Sequence, residues 1–541
     1  MKNRPDRPNI VLILADDMGF SDIGCYGSEI ATPHLDRMAN QGVRFTQMYN
    51  CARCCPSRAS LLTGLYPHQA GIGHMVQSLG TPPYQGYLNQ NCVTIAEALK
   101  QGGYNTLMSG KWHVGGEYDP QRPEVLPPGA DRAPIPIFRG FDRFYGTIAG
   151  AVSYYKPKAL MKDDRAVEAE GENYYFTDVV TDQAVEMLDA YGHRPEPFFL
   201  YLAYTAPHWP LQAFPEDIAK YEGKYRQGWD RMRTDRHERL IEQGLLDRKW
   251  EISPRTPGVP AFSDVRHQDW EDLRMAVYAA QIDRMDQGVG RVLDKLRELD
   301  IEENTLVIFL SDNGGCAEFL AENGWTENFG GTTPDGRPVR VGNHPDLKPG
   351  PADTFMSYDM PWSNVSNTPF RFYKHWVHEG GISTPFIVRW PAMIQSSRIA
   401  HPPTHFIDIM ATCLDAAGVA YPKEYQGRPV TPLEGESLVA AFTDETWARQ
   451  APIFWEHEGN CAVRQGPWKL VRENGRPWEL YDIREDRTEL NDLAEINRPR
   501  TEEMAAHHGE WAERVGVMAW KERWTEKLNE AIHPFLSKPS R

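Results

Sequence analysis

The residue types best suited to chemistry gather first at Cys54, which opens the run Cys54-Cys55-Pro56-Ser57-Arg58-Ala59-Ser60-Leu61-Leu62-Thr63-Gly64. Pro56 suits the first turn of a helix and Gly64 its end, so the spacing predicts a short helix with Cys54 at its amino terminus. Free N–H groups and the helix dipole favour an anion there, and a thiol at that place has a lowered pKa. Two plainer readings stand beside this one: a small buried cysteine, and a metal site built from Cys51, Cys54 and Cys55. A zinc cluster needs a fourth ligand, and no matching Cys or His pair is apparent. Elsewhere, Asp16, Asp17, Asp312 and Asn313 make an all-oxygen set with three charges, a hard-cation preference that suits Ca2+ or Mg2+. Taken singly, Asp16-Asp17 also reads as a helix cap and Asp312-Asn313-Gly314-Gly315 as a turn.

These residues need elements that bring them together. Short β-rich apolar runs at 10–15, 104–108, 198–204 and 306–310 each stop abruptly at polar residues, with 386–388 a weaker example. Met275, Tyr278, Ile282, Met285, Val289, Val292 and Leu296 repeat at helical spacing and lead toward the run at 306–310. Buried strands alternating with helices indicate a large α/β domain, a mostly parallel mixed sheet flanked by helices. In such sheets a ligand lies beyond the carboxyl ends of the strands. The sequence places Asp16 and Asp17, then Lys111 and His113, then His208, then Asp312 and Asn313 just after those ends. Four strand ends would thus deliver acids, an amide, a lysine and two histidines to one edge.

After about residue 425 the texture changes. Short strands at 453–455, 462–464, 468–471 and 478–481, turns at Glu458-Gly459-Asn460 and Asn474-Gly475, and a polar helix near 500–515 predict a smaller α+β domain with a short antiparallel sheet. The expected domains are residues 1–425 and 426–541, and a chain of 541 residues does exceed what one core usually organises. The longest aperiodic stretches, 120–171 and 316–367, are expected to be functional loops. A net charge of -17 argues against nucleic acid, whose phosphates are bound by excess Lys and Arg, yet a small cationic pocket can sit inside an acidic surface. With a mean hydropathy of -0.56, no segment is apolar and long enough to span a bilayer, so no membrane partner is expected. The polar start with Lys2, Arg4 and Arg7 does not read as a signal segment, and the expected location is cytoplasmic. Eight cysteines, clustered only at 51–55, make no disulfide framework for a chain of this size.

Cys-x-Pro-Ser-Arg from Cys54 to Arg58, followed by Leu62-Thr63-Gly64, resembles the signature of the type I, formylglycine-dependent sulfatase family of the alkaline phosphatase superfamily. The resemblance runs over nearly the whole chain. Residues 9–17 with Gly19 are similar to the family's opening strand; Gly110-Lys111-Trp112-His113, Ala206-Pro207-His208 and Ser311-Asp312-Asn313-Gly314 are similar to three further motifs. Thr368-Pro369-Phe370-Arg371-Phe372-Tyr373-Lys374, with His378-Glu379-Gly380-Gly381-Ile382, is similar to bacterial arylsulfatases in particular. Trp478-Glu479-Leu480-Tyr481-Asp482 resembles the family's C-terminal domain.

The resemblance implies an alkaline-phosphatase-like fold and an arylsulfatase-like sulfuric ester hydrolase, which releases an alcohol or phenol and inorganic sulfate through a formylglycine-sulfate intermediate. It implies that Cys54, two positions before the proline, is oxidised to 3-oxoalanine (formylglycine) by a formylglycine-generating enzyme, while Cys55 is not. It implies Ca2+ held by Asp16, Asp17, Asp312 and Asn313, against the modified Cys54. Lys111 and Lys374 would hold sulfuryl oxygens as mobile point charges, and Arg58 would bridge the nucleophile region and the metal ligands. Asp312 would align or deprotonate the attacking hydroxyl, His208 would protonate the departing alcohol, and His113 would deprotonate the second hydroxyl so that sulfate leaves. Most of the 17 histidines must be structural or surface residues, and His34, His68, His74 and His375 are read in that class. The expected substrate is a small-molecule or saccharide sulfate ester, for which Tyr154, Tyr155, Trp209, Trp325, Trp362 and Trp376 offer aromatic surfaces. The nearest rival is a formylglycine-dependent phosphonate monoester or phosphodiester hydrolase. A more distant one is a catalytically inactive sulfated-glycan binding protein, which should lack part of the acid, base or nucleophile set.

Overall fold

Strands that are apolar at every position need cover on both faces. The computed structural model, which describes residues 7–171, 173–322, 324 and 329–520, provides that cover. Lys2, Arg4 and Trp325 lie outside the described residues, as does the chain from 521 onward. The strands follow in order as β1 (Asn9–Asp16), β2 (Val43–Tyr49), β3 (Asn105–Gly110), β4 (Arg143–Thr147), β5 (Leu160–Lys162), β6 (Arg165–Ala166), β7 (Phe198–Pro207) and β8 (Thr305–Ser311). After a two-residue pair, β9 (Arg340–Val341) with β10 (Thr354–Phe355), come β11 (Ser383–Arg389), β12 (Arg398–Ala400) and β13 (Thr404–His405). A second short pair, β14 (Glu424–Tyr425) with β15 (Arg428–Pro429), precedes β16 (Ile453–His457), β17 (Asn460–Gln465), β18 (Trp468–Arg472) and β19 (Glu479–Asp482).

The large sheet has the order β12-β2-β11-β8-β1-β7-β3-β4-β5-β6, with β13 alongside β2. Its centre, β8-β1-β7-β3-β4, is parallel. On β1, Val11, Ile13 and Ala15 enter one core while Ile10, Leu12 and Leu14 enter the other, the two-residue alternation of any strand. β7 divides likewise, with Leu200 and Leu202 on the first side and Phe199 and Tyr201 on the second. Helices Pro33–Asn40, Phe176–Tyr191 and Gln268–Glu298 close the first core, and Cys54–Thr63, Ile95–Gln101 and Ile407–Ala417 close the second. The helix expected from periodicity is Gln268–Glu298, and all seven of its predicted apolar positions are buried.

The edge strands decide what else reaches the functional edge. β11 lies antiparallel to both β8 and β2, so β2 runs in the same direction as β1. The carboxyl ends of β1, β2, β3, β7 and β8 therefore share an edge with the amino end of β11. No uninterrupted apolar run announces β2: Arg44 and Gln47 are half-buried there, since β2 lies toward the sheet's rim.

β16 to β19 form the expected antiparallel sheet. The β16–β17 turn puts Glu458 at φ 52° and Gly459 at φ 82°, the left-handed pair that a two-residue hairpin requires. The helix Arg498–Val515 packs on this sheet through Met504. The sheet is joined to the large domain by an apolar cluster of Tyr49, Ala52, Val377 and Ile382 with Trp455 and Tyr481, and by Lys469, which pairs with Glu379 at 2.9 Å and Glu489 at 2.8 Å. Among the described residues no helix is long and apolar enough to cross a membrane.

The packing makes a stability prediction. Ile282→Ala, in the core between the long helix and the sheet, should lower the unfolding free energy by about 2–5 kcal/mol. Arg291→Ala, on the same helix as Ile282, removes an exposed pair with Asp182 of the helix Phe176–Tyr191 and should cost only about 0–1 kcal/mol. Denaturant unfolding of the two variants side by side checks the contrast.

Candidate active site

At the carboxyl end of β1, Asp16 closes the strand and Asp17 turns out of it with φ 63°, a left-handed conformation costly for a non-glycine residue. The turn is held from β8: the Asp17 amide donates to Asp312 Oδ1 at 3.2 Å, and Asn313 Nδ2 donates to Asp17 Oδ1 at 2.7 Å. β3 ends at Gly110, where φ is 117° and a Cβ would sit 1.9 Å from the Ala203 carbonyl of β7. Only glycine fits that approach, which lets the Lys111 amide donate to the same carbonyl at 2.7 Å and aims the Lys111 side chain along the edge. Lys111 Nζ then reaches Asp16 Oδ2 at 2.5 Å. His113, two residues on, is again left-handed at φ 54°. β7 delivers His208, whose Nε2 lies 3.3 Å from Asp17 Oδ2 and whose Nδ1 faces the Trp209 carbonyl at 2.6 Å.

Cys54 arrives from β2. The helix Cys54–Thr63 begins there and ends on Gly64 at φ 68°, matching the start and stop read from Pro56 and Gly64. One turn in, Arg58 donates through Nε and Nη2 to Asp312 Oδ2 at 2.9 and 2.8 Å and through Nη1 to the Lys111 carbonyl at 2.9 Å. Its fork thereby fixes the helix against two strand ends. Lys374 precedes the antiparallel β11, and its Nζ lies 2.9 Å from Asp17 Oδ1 and 3.4 Å from His208 Nε2. All ten residues singled out in the sequence thus meet at one buried edge, each no more than 5% exposed.

The charges are coupled. Burial and the neighbouring Asp16 push the Asp312 carboxyl well above its usual range, against the pull of Arg58. Burial also acts on Asp17, but His208 and Lys374 outweigh it and leave that carboxyl lower than usual. A hydrogen bond from the Cys55 thiol, then His113 and Lys111, hold the Cys54 thiol well below its ordinary value despite burial. Burial lowers His113 and His208 to about 4, so both imidazoles are neutral at neutral pH. Asp16 Oδ1 and Asn313 Oδ1 are buried without a hydrogen-bond partner, an unfavourable state that a cation would relieve. Oxygen donors in that number and charge fit a hard divalent ion.

Two sequence readings change. Cys51 stands apart from Cys54 and Cys55: its sulfur faces Ser60 Oγ at 3.3 Å and His405 at 3.7 Å, while Cys54 and Cys55 lie with His113 instead. Of the aromatic residues proposed for the mouth that are among the described residues, Trp209 alone lines it. Trp362 is fully buried and bonded to Glu271, Trp376 stacks on Phe372, Tyr154 donates to the Thr205 and His208 carbonyls, and Tyr155 packs on Tyr175 and Phe214. They are core or scaffold because a bulky ring buries itself wherever the fold has room. Sequence reading also missed Glu318, a buried carboxylate paired with Arg53 at 2.8 Å, bonded to the Trp209 indole at 2.8 Å and 4.0 Å from Lys374. It sits in the aperiodic stretch 316–367, where spacing carries no signal.

A family model described as Sulfatase matches residues 8–419, and one described as N-sulphoglucosamine sulphohydrolase, C-terminal, matches residues 370–511. An uncharacterized sulfatase of Schizosaccharomyces pombe is 32% identical over 524 residues, covering 91% of each chain. The arylsulfatase of Klebsiella aerogenes is 32% identical over 473 residues, covering 83% of this chain and 95% of that one. The solved structure of Ps i-CgsB in complex with k-i-k-neocarrahexaose superposes with a TM-score of 0.67 at 25% identity, covering 97% of both chains. Matched over most of its length by the family model and by relatives of nearly its own extent, the chain belongs to the sulfatase family and is a sulfuric ester hydrolase.

Proposed function

We propose that this sulfatase cleaves an aryl sulfate ester, with Cys54 converted to formylglycine and Ca2+ held by Asp16, Asp17, Asp312 and Asn313. The observation that carries the reading is the pair of orphaned oxygens, Asp16 Oδ1 and Asn313 Oδ1, at the edge where Cys54 meets two lysines and two neutral histidines. When present, the cation polarises sulfuryl oxygens and the hydrated aldehyde supplies a nucleophilic hydroxyl with a second hydroxyl for product release. Lys111 and Lys374, which rest on Asp16 and Asp17, would be free to turn toward sulfuryl oxygens if those carboxylates held the cation. Arg58 stays on Asp312 and keeps the Cys54 helix in register with the metal ligands. An anionic ester between Lys111 and Lys374 places negative charge beside His208 and favours its protonated form, so His208 can give its proton to the departing oxygen. His113, facing Cys54 and Cys55, is the base that takes a proton from the group at position 54. Because Cys54 is 1% exposed, the maturing enzyme has to reach it before the chain folds.

The substrate class rests on the mouth. A cavity of about 340 Å³ opens above Cys54, with Met75, Val76, Tyr118, Ile148, Trp209 and Phe329 in its apolar lining and Gln77, Glu117 and Lys158 in its polar lining. The apolar part is the surface on which an aromatic ring would rest, and it is the basis for choosing an aryl ester. The catalytic unit is assigned to residues 1–425 and the supporting one to 426–541.

Four outcomes are expected. Cys54→Ala abolishes turnover of nitrophenyl sulfate while circular dichroism stays native, and Cys54→Ser accumulates a sulfated peptide visible by mass spectrometry; full turnover by either variant sinks the mechanism. Chelation lowers both activity and melting temperature, Ca2+ restores both, and Asn313→Ala shows a weakened response to the ion. His208→Ala loses more on alkyl than on nitrophenyl sulfates, and equal losses would remove it from the acid role. In a panel of aryl, alkyl and saccharide sulfates the aryl esters should give the highest kcat/KM. Faster cleavage of nitrophenyl phosphonate would reassign the enzyme.

A further inference from the structure

A second group of ligand-type side chains lies outside the aspartate-rich edge. The β16–β17 hairpin presents His457 and Glu458; His375 follows Lys374; His74 comes from the loop after the short helix Pro67–Ala70. His375, His457 and Glu458 are at most 3% exposed, and one ligand atom from each lies within 4.8 Å of the others. Glu458 is the hub: its Oε2 is 3.0 Å from His375 Nδ1, and its Oε1 is 3.5 Å from His457 Nε2 and 2.7 Å from His74 Nε2. Ligands at the usual Zn–N and Zn–O lengths of a tetrahedral site stand roughly 3.3 Å apart, close to two of these separations.

The hydrogen bonding points the same way. Neither ring nitrogen of His457 has a hydrogen-bond partner, and His375 Nδ1 and Glu458 Oε2 make no well-formed hydrogen bond despite their proximity. A buried imidazole left unpaired at both nitrogens is an expense that a bound ion offsets. Meanwhile His375 Nε2 faces Asn460 Nδ2 at 3.4 Å, and Asn460 also donates to the His457 carbonyl at 3.1 Å. Asn460 Nδ2 is the donor in both contacts, and it holds the His375 ring and the hairpin backbone in place. His375 is also held at φ 91°, a strained conformation that aims its ring at the hairpin. Burial keeps His457 well below its usual pKa, hence neutral and able to donate a lone pair.

We propose that His375, His457 and Glu458, with His74 hydrogen-bonded to Glu458 beside them, form a second metal site, distinct from the oxygen-rich one, that takes a borderline transition-metal cation of the Zn2+ type. Two imidazole nitrogens with one carboxylate select such an ion over Ca2+ or Mg2+, which prefer oxygen donors throughout. The site ties the C-terminal hairpin to two segments of the catalytic edge. His375 adjoins Lys374, and its amide donates to the Ala52 carbonyl at 2.8 Å, just ahead of Cys54. A cation there is therefore a positioning device for Lys374 and for the loop entering the Cys54 helix.

The test is a titration of chelator-stripped full-length protein with Co2+ alone, followed by visible absorption. Binding at the new site gives the intense d–d bands of a four-coordinate nitrogen and oxygen set, displaced by Zn2+. The all-oxygen edge gives only weak six-coordinate bands. Because Cys54, Cys55 and His113 also lie together, the titration is repeated in Cys54→Ala/Cys55→Ala. The bands should persist there, and should vanish in His457→Ala and in Glu458→Gln, with circular dichroism confirming the fold. Absent bands in the unsubstituted protein, bands lost with the two cysteines, or bands unchanged in a folded His457→Ala would each overturn the proposal. The unsubstituted titration alone decides if a variant fails to fold, and its outcome does not depend on the reaction catalysed.

Discussion

Buried charge balance at the carboxyl edge of the large sheet is the constraint on which the rest depends. Asp16, Asp17 and Asp312 are matched there by Arg58, Lys111 and Lys374, all almost wholly out of water. Desolvating these six ionisable groups is expensive, and the arrangement persists only because each carboxyl has a cationic partner within about hydrogen-bonding distance. The partners come from different parts of the chain, so the pairing also dictates how those parts meet. Arg58 illustrates this: one guanidinium joins the Cys54 helix to the end of β8 through Asp312 and to the turn after β3 through the Lys111 carbonyl.

The sheet makes such a gathering possible. Parallel strands all finish at the same edge, and a doubly covered sheet has no freedom to slide, because a one-residue slip would move each side chain into the opposite core. Carboxylates placed one residue beyond strands that neighbour each other are therefore forced together. The antiparallel β11 extends the rule: a segment entering that strand reaches the same edge from the opposite direction and brings Lys374. Strain concentrates here as well, with Asp17 and His113 both left-handed, while Gly110 permits the close pass of β3 over β7. The C-terminal sheet then packs on the loops from which Cys54 and Lys374 emerge, so its role is to hold those loops as much as to complete a core.

Burial also sets the chemistry. It keeps both histidines neutral before an anion arrives, and it leaves Asp16 Oδ1 and Asn313 Oδ1 without partners, which favours a cation. The same physics, working on imidazoles instead of carboxylates, operates at the His375 and His457 cluster, where the donor type changes and the preferred ion changes with it.

Much of this was legible in local sequence. The apolar runs of β1, β3, β7 and β8, the polar residues that end them, and the helix boundaries at Pro56 and Gly64 are all patterns within a few residues, and a doubly buried strand or a helix terminus needs no more than that to be recognised. Asp16, Asp17, Lys111, His113, His208, Asp312 and Asn313 could be placed on one edge for that reason, while Cys54, Arg58 and Lys374 came from motif resemblance. Tertiary structure alone decided the rest. β2 escaped notice because a rim strand mixes polar with apolar side chains. Glu318, the three histidines around Glu458 and the burial of Trp362 and Trp376 depend on contacts between segments far apart in the chain, and no spacing within a segment encodes those. Local pattern names the donors because backbone geometry is local; which donors touch is settled by how the two cores close around the sheet.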